Sequence, residues 1–69
     1  MIRVIVIDDH TLVRERVSRL LEEEPDMRVV GSFDHGSAAV RFAAREAPDV
    51  AIVDIAMPDA NGIDVARRL

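Results

Sequence analysis

The chain contains no cysteine, no tryptophan and no tyrosine. Without cysteine neither a disulfide framework nor a thiolate metal site can form, which is compatible with a reducing compartment. Two phenylalanines are the only aromatic residues, so the platforms on which single-stranded nucleic acids stack are missing. Basic charge is also scarce: nine Lys and Arg stand against 13 Asp and Glu, for a formal charge of −4. That balance argues against the chain itself gripping a nucleic-acid backbone. No apolar run approaches the roughly 18 residues of a membrane span. The N-terminus, MIRVIVIDDH, meets two aspartates too early for a secretory signal. The expectation is a soluble, cytoplasmic chain without membrane contact.

What is present is apolar and regularly punctuated. Hydrophobic residues make up 49% of 69 positions, enough for one small globular unit of marginal stability. Ile2 to Ile7, IRVIVI, is a nearly unbroken β-branched run, of the kind that suits a parallel strand covered on both faces. It is the candidate central strand. His10 or Thr11 follows as a helix cap, and Thr11 is the better type for that position. From Leu12 to Glu24 the spacing of Val13, Val17, Leu20 and Leu21 predicts an amphipathic helix, stopped by Pro25. Met27 to Phe33 carries Arg28, Gly31 and Ser32 and is read as a shorter or edge strand.

A second helix is expected from Asp34 or Ser37 to about Ala47, with Val40, Ala43, Ala44 and Ala47 on its buried side and Pro48 after it. Val50 to Val53 is a third apolar run leading directly into Asp54, with Pro58 and Asn61-Gly62 close behind. It reads as a buried strand bounded by turn formers. Ile63, Ala66 and Leu69 begin a further helical stripe. Alternation of strand and helix means a parallel sheet with right-handed crossovers. If the first strand is central, the order is 2-1-3, and the C-terminal ends of strands one and three lie side by side. Asp8, Asp9 and Asp54 then meet where open α/β sheets place their ligand chemistry.

Three carboxylates at one sheet end repel one another, so a divalent cation would offset them. All-oxygen ligands favour Mg²⁺ or Ca²⁺. Aspartate is also a covalent acceptor of phosphoryl groups, and a metal ion orients the donor. Asp54 then reads as the nucleophile, with Asp8 and Asp9 positioning the ion.

The sequence IDDH after strand one, with D-x-x-M-P-x-x-x-G at Asp54, Met57, Pro58 and Gly62, resembles the receiver domain of bacterial two-component response regulators. The opening VIVIDDHTLVRERVSRLLEEEPDMRVVG is most similar to the NarL/FixJ (LuxR-type) branch, whose members carry a C-terminal helix-turn-helix DNA-binding domain. The resemblance implies a flavodoxin-like (CheY-like) fold, here truncated to three parallel strands in order 2-1-3 with three helices. It implies Mg²⁺-dependent transfer of a phosphoryl group from a sensor histidine kinase to Asp54. In that scheme Asp8 and Asp9 form the acidic pair, Asp9 being the direct ligand, and the backbone carbonyl of Ala56 completes the protein's share of the metal shell.

The resemblance covers roughly the first half of such a domain. Receivers continue through two more strands and two more helices, which hold a hydroxyl residue and a lysine at the phosphoryl group. Residues 1–69 are therefore expected to be the N-terminal part of a single receiver, with DNA reached only through an absent output domain. The outer edge of strand three would lack its neighbour, so a homo-oligomer through Val50 to Val53 is expected. The chain is not expected to be an enzyme in its own right.

Blander roles stand beside these. His10 reads as a cap or surface residue rather than a ligand, and His35 as loop. Met57 and Pro58 shape the loop, and Gly62 supplies backbone freedom. The alternative function is a half-domain that cannot be phosphorylated and serves only for self-association. A haloacid-dehalogenase-type phosphatase needs a second Asp two residues after the nucleophile, where this chain has Ala56. A dinucleotide site would need G-x-G-x-x-G after the first strand, which is lacking.

Overall fold

The computed structural model describes residues 1–54, 67 and 69. In chain order it contains β1 (Ile2–Ile7), α1 (Thr11–Glu22), β2 (Met27–Phe33), α2 (Gly36–Glu46) and β3 (Val50–Val53). The three strands form one parallel sheet in the order β2-β1-β3, as the hydrophobic pattern predicts. Ile63 and Ala66 of the third helical stripe lie outside the described residues.

The β-branched run of β1 becomes the core because it is paired on both edges. Val4, Ile5, Val6 and Ile7 are each 1% exposed or less. Alternate side chains of a strand point to opposite faces. Ile5 and Ile7 share a cluster with Ala39 of α2, with Val30, Phe33, Val40, Phe42, Ala43, Ala51 and Val53 packed around it, while Val4 and Val6 turn to the other face. Helices at this sheet take their places by which small or branched side chains fit against those two rows.

α2 packs through Gly36 and Ala39, both buried, together with Val40 and Ala43. Ala44 and Ala47 are exposed, so the expected stripe is displaced toward the N-terminus. The reason lies at the helix end. Ala47 is already out of the helix, in the left-handed conformation at φ 46°, and its N–H donates to the Ala43 carbonyl. The Arg3 guanidinium donates to the last carbonyls, those of Glu46 and Ala47, at 2.6 and 3.3 Å, and so ties the helix end to the start of β1.

α1 departs from its expected stripe too. Val17 and Leu21 are partly covered, but Val13 and Leu20 are 46% and 63% exposed. The covered side is Arg14, Val17, Ser18 and Leu21, because Arg14 reaches back to donate to the Asp8 carbonyl at 2.8 Å and turns that side inward. The helix starts at Thr11 with His10 in the cap position, and the His10 side chain makes no cap bond. His10 thus holds the cap position by its backbone and stays exposed, as one of the two expected caps, whereas Thr11, the better type for a cap, is the first helical residue.

β2 lies at the edge, as expected, but with seven residues it is the longest strand among the described residues rather than a short one. Its pairing with β1 shifts register between Val4 and Ile5, where Val30 is the extra residue. Gly31 follows this bulge. A Cβ there would come within 2.7 Å of the Phe33 ring and 3.3 Å of Ile5. The Phe33 ring packs on Phe42 with centroids 5.2 Å apart, which holds it over the glycine.

Candidate metal and phosphoryl site

The site is made by where three strands end. Asp8 N–H donates to the Phe33 carbonyl at 3.0 Å, fastening the end of β1 to β2. Asp54 N–H donates to the Ile7 carbonyl at 2.8 Å, fastening the end of β3 to β1. The Arg14 bond to the Asp8 carbonyl then fixes the loop from below. These backbone bonds bring Asp8, Asp9 and Asp54 to one rim, as the 2-1-3 order requires.

His10 joins them. One donor atom from each of Asp8, Asp9, His10 and Asp54 lies within 4.8 Å of the others. The His10 Nδ1 stands 3.0 Å from Asp8 Oδ1, 3.1 Å from Asp9 Oδ1 and 3.9 Å from Asp54 Oδ2. Asp8 Oδ1 also accepts the His10 backbone N–H at 2.8 Å, an Asx-type turn that bends the chain from strand into helix. The hydrogen bond to Asp8 and then the charge of Asp9 raise the imidazole pKa above its usual 6.5.

Asp9 Oδ1 is buried, and among the described residues no donor makes a hydrogen bond to it. The 3.1 Å approach of His10 is an ion-pair distance without hydrogen-bond alignment. A buried carboxylate oxygen in that condition is costly unless a cation completes it. The side chains of Asp8, Asp9 and Asp54 keep only 17%, 29% and 21% of their surface exposed, so the charge is concentrated and largely covered. This donor set fits a hard divalent cation with water completing its shell. Ala56, Met57, Pro58 and Gly62 lie outside the described residues. His35, in the cap position of α2, is not in this group and contacts Asp34 at 2.6 Å.

A family model for the response regulator receiver domain matches residues 4–69. The chain belongs to the response regulator receiver family. It is 41% identical over 69 residues to the transcriptional regulatory protein LiaR of Bacillus subtilis strain 168, covering all of this chain and 33% of that protein. It is 43% identical over 68 residues to the transcriptional regulatory protein DegU of Brevibacillus brevis, covering 99% of this chain and 29% of the relative.

Among solved structures it is similar to the response regulator domain of Thermotoga maritima CheB, with a TM-score of 0.92 and 40% identity, over 99% of this chain and 51% of that one. A LuxR-family two-component response regulator from Aurantimonas sp. SI85-9A1 gives a TM-score of 0.88 at 34% identity, over 94% and 46% of the two chains. This receiver chain thus spans about a third of the length of those regulators and about half of the solved chains. Some relatives carry receivers on enzymes: a protein-glutamate methylesterase/protein-glutamine glutaminase of a Nocardioides species is 43% identical over 68 residues, 19% of its length. The part shared with this chain is the signalling domain. Among the described residues no helix is long and apolar enough to cross a membrane.

Proposed function

We propose that the chain is the phosphoacceptor part of a cytoplasmic two-component response regulator, in which Asp54 receives a phosphoryl group from a sensor histidine kinase. The observation that carries this reading is the convergence of Asp54 with Asp8 and Asp9 at the joined ends of β1 and β3. Asp8 and Asp9 would hold Mg²⁺, Asp9 directly through its buried, unsatisfied oxygen, with Asp54 and the Ala56 carbonyl supplying the remaining protein ligands. When bound, the ion would supply charge neutralisation for the phosphoryl oxygens and orientation of the donor relative to Asp54.

The step itself is a displacement at phosphorus. One Asp54 oxygen forms the new P–O bond as the P–N bond of the donor histidine breaks, and the electron pair stays on that imidazole nitrogen, so that the donor leaves as neutral imidazole with its proton on the other ring nitrogen. Asp54 is held for this by its backbone bond to Ile7. Asp8 is held by Phe33 and Arg14. The order of events downstream belongs to the rest of a receiver and, by analogy with LiaR and DegU, to a DNA-binding output domain that would control transcription.

Intact mass after incubation with a small acyl phosphate tests the reading. A single phosphoryl adduct that needs Mg²⁺ and disappears in Asp54→Asn is expected. An adduct that persists in the variant would remove Asp54 from its role.

A second reading is favoured by the sheet edge. β3 pairs with β1 on one side alone among the described residues, and Val50 and Ile52 remain 44% and 38% exposed. Edges of this kind pair with other strands, so residues 1–69 in isolation would self-associate through β3 and act as an interaction half-domain without phosphorylation. Sedimentation over a concentration series, with Ile52→Lys beside the parent, separates the two. Dimer formation abolished by the charge supports the edge, and a monomer throughout contradicts it.

A further inference from the structure

We propose that Asp49 is a positioning residue for the phosphoacceptor: clamped to Arg3 at the far end of the sheet, it sets the register of β3 on β1 and, through it, the height at which Asp54 reaches the rim. The inference rests on the role given to Asp54 above.

β3 is the element that leads into Asp54. It has four residues and pairs with β1 alone among the described residues, from Val4 with Val50 to Ile7 with Val53. The hydrophobic pattern does not select that pairing. Register is fixed strongly where one face of a strand is apolar and the other polar, because a slip of one residue then turns the wrong set inward. VAIV is apolar at every position, and so is Val4 to Ile7 opposite it, so a slipped strand still presents apolar side chains to both faces. The ladder bonds do not select it either, since each residue of β3 offers the same backbone N–H and C=O.

What distinguishes one register is the polar contact just before the strand. The Asp49 N–H donates to the Arg3 carbonyl at 2.8 Å, and the Arg3 N–H donates to Asp49 Oδ2 at 2.8 Å. The second bond belongs to this position alone, because neither Pro48 before it nor Val50 after it carries a side-chain acceptor. From Asp49 the extended chain runs to the Asp54 N–H bond with the Ile7 carbonyl. A slip of two residues, which restores the faces, would move the strand by about 6–7 Å. That exceeds the 4.8 Å within which the carboxylates of Asp8, Asp9 and Asp54 meet, so the acceptor would leave the acidic pair. The Arg3 guanidinium separately holds the Glu46 and Ala47 carbonyls at the end of α2, a set of bonds at the same place that does not touch β3.

The test is the rate of phosphoryl uptake from a small acyl phosphate with Mg²⁺, followed by intact mass, together with the interstrand nuclear Overhauser contacts between β1 and β3. The parent is compared with Asp49→Ala, Asp49→Asn and Arg3→Met at a temperature where circular dichroism shows each folded. Asp49→Ala is expected to lose about tenfold or more in rate, since a displacement of about 1 Å at a reacting group is enough for that, and to lose or shift the contacts between Ile7 and Val53. Asp49→Asn keeps an oxygen for the Arg3 N–H and should stay within about threefold of the parent. Arg3→Met keeps the backbone N–H while cutting the guanidinium bonds, so it should lower the urea midpoint and leave the rate within about threefold.

Interstrand contacts unmoved in folded Asp49→Ala would overturn the inference whatever the rate, and so would equal losses of rate in all three variants, which mark a general loss of stability. A parent that takes up no phosphoryl group overturns the phosphoacceptor reading instead, and the interstrand contacts then judge the clamp alone. If Asp49→Ala does not fold, hydrogen exchange of the parent decides: the Arg3 amide should exchange as slowly as the ladder amides of β1, and exchange at the rate of an unpaired amide would overturn the clamp.

Discussion

Replacing Asp54 by Asn should have opposite consequences with and without Mg²⁺. The oxygens of Asp8, Asp9 and Asp54 approach within 4.8 Å. At that distance two unit charges repel by about 3.5 kcal/mol at an effective dielectric of ~20 and by about 0.9 kcal/mol in bulk water. The Asp54 side chain retains 21% of its exposure and His10 lies against the cluster, so solvent and the imidazole screen most of this. Asp54→Asn removes one charge without changing shape and is expected to stabilise the metal-free chain by about 1 kcal/mol. Saturation with Mg²⁺ reverses the order. At ten times its Kd the ion stabilises the parent by about 1.4 kcal/mol, whereas the variant has lost a ligand charge and gains little. Urea unfolding of both proteins, with chelator and then with Mg²⁺, reads the effect as two midpoints that cross. A variant destabilised in chelator, or an equal Mg²⁺ shift in both proteins, would refute the account of the carboxylates as a repelling cluster built for a cation.

Three further outcomes follow from other parts of the fold. Ile7→Ala empties a fully buried position between α2 and β3 and should cost about 2–5 kcal/mol, a large share of the roughly 5 kcal/mol available to a chain of this size; loss of the cooperative thermal transition checks it. Ala47→Gly relieves a left-handed alanine at φ 46° and should raise stability by about 1 kcal/mol, seen as a higher urea midpoint with an unchanged slope. Asp34 has its pKa lowered from 3.8, first by the hydrogen bond from His35; its contribution is therefore present above that value and fades as pH falls through the lowered one. Titration of the Asp34 carboxyl by NMR should find it below 3.8 and find it restored toward that value in His35→Ala.

The sheet was legible because its information is one-dimensional: IRVIVI is apolar at every position, and only a central strand buries both faces. From that, the 2-1-3 order and the meeting of Asp8 with Asp54 followed. The helix faces were less legible, because periodicity gives a stripe without saying where on it the sheet lies. In α1, Val13 and Leu20 belong to the stripe yet face solvent, since the Arg14 bond to the Asp8 carbonyl rotates the helix. In α2 the small residues Gly36 and Ala39 set the close approach, and Ala44 and Ala47, of the same type, fall outside it because the helix ends at Glu46. β2 was underrated as a strand because Gly31 weakens the pattern, although that glycine accommodates the Phe33 ring. His10 was legible as a residue at the helix start and on the surface, but the cap preference of a residue type does not show that its ring lies beside Asp8 and Asp9. The loop-shaping residues Met57, Pro58 and Gly62 and the Ala56 carbonyl lie outside the described residues.

The most direct test of the central claim is chemical mapping of the phosphoryl group. The chain is treated with an acyl phosphate and Mg²⁺, reduced with borohydride, cleaved after arginine and sequenced by tandem mass spectrometry. Reduction converts an acyl phosphate on aspartate to homoserine, so the modified position is recorded in the peptide. The account predicts homoserine at position 54, in the peptide following Arg45, and only when Mg²⁺ was present. Homoserine at Asp8 or Asp9, or at several aspartates irrespective of Mg²⁺, would contradict it.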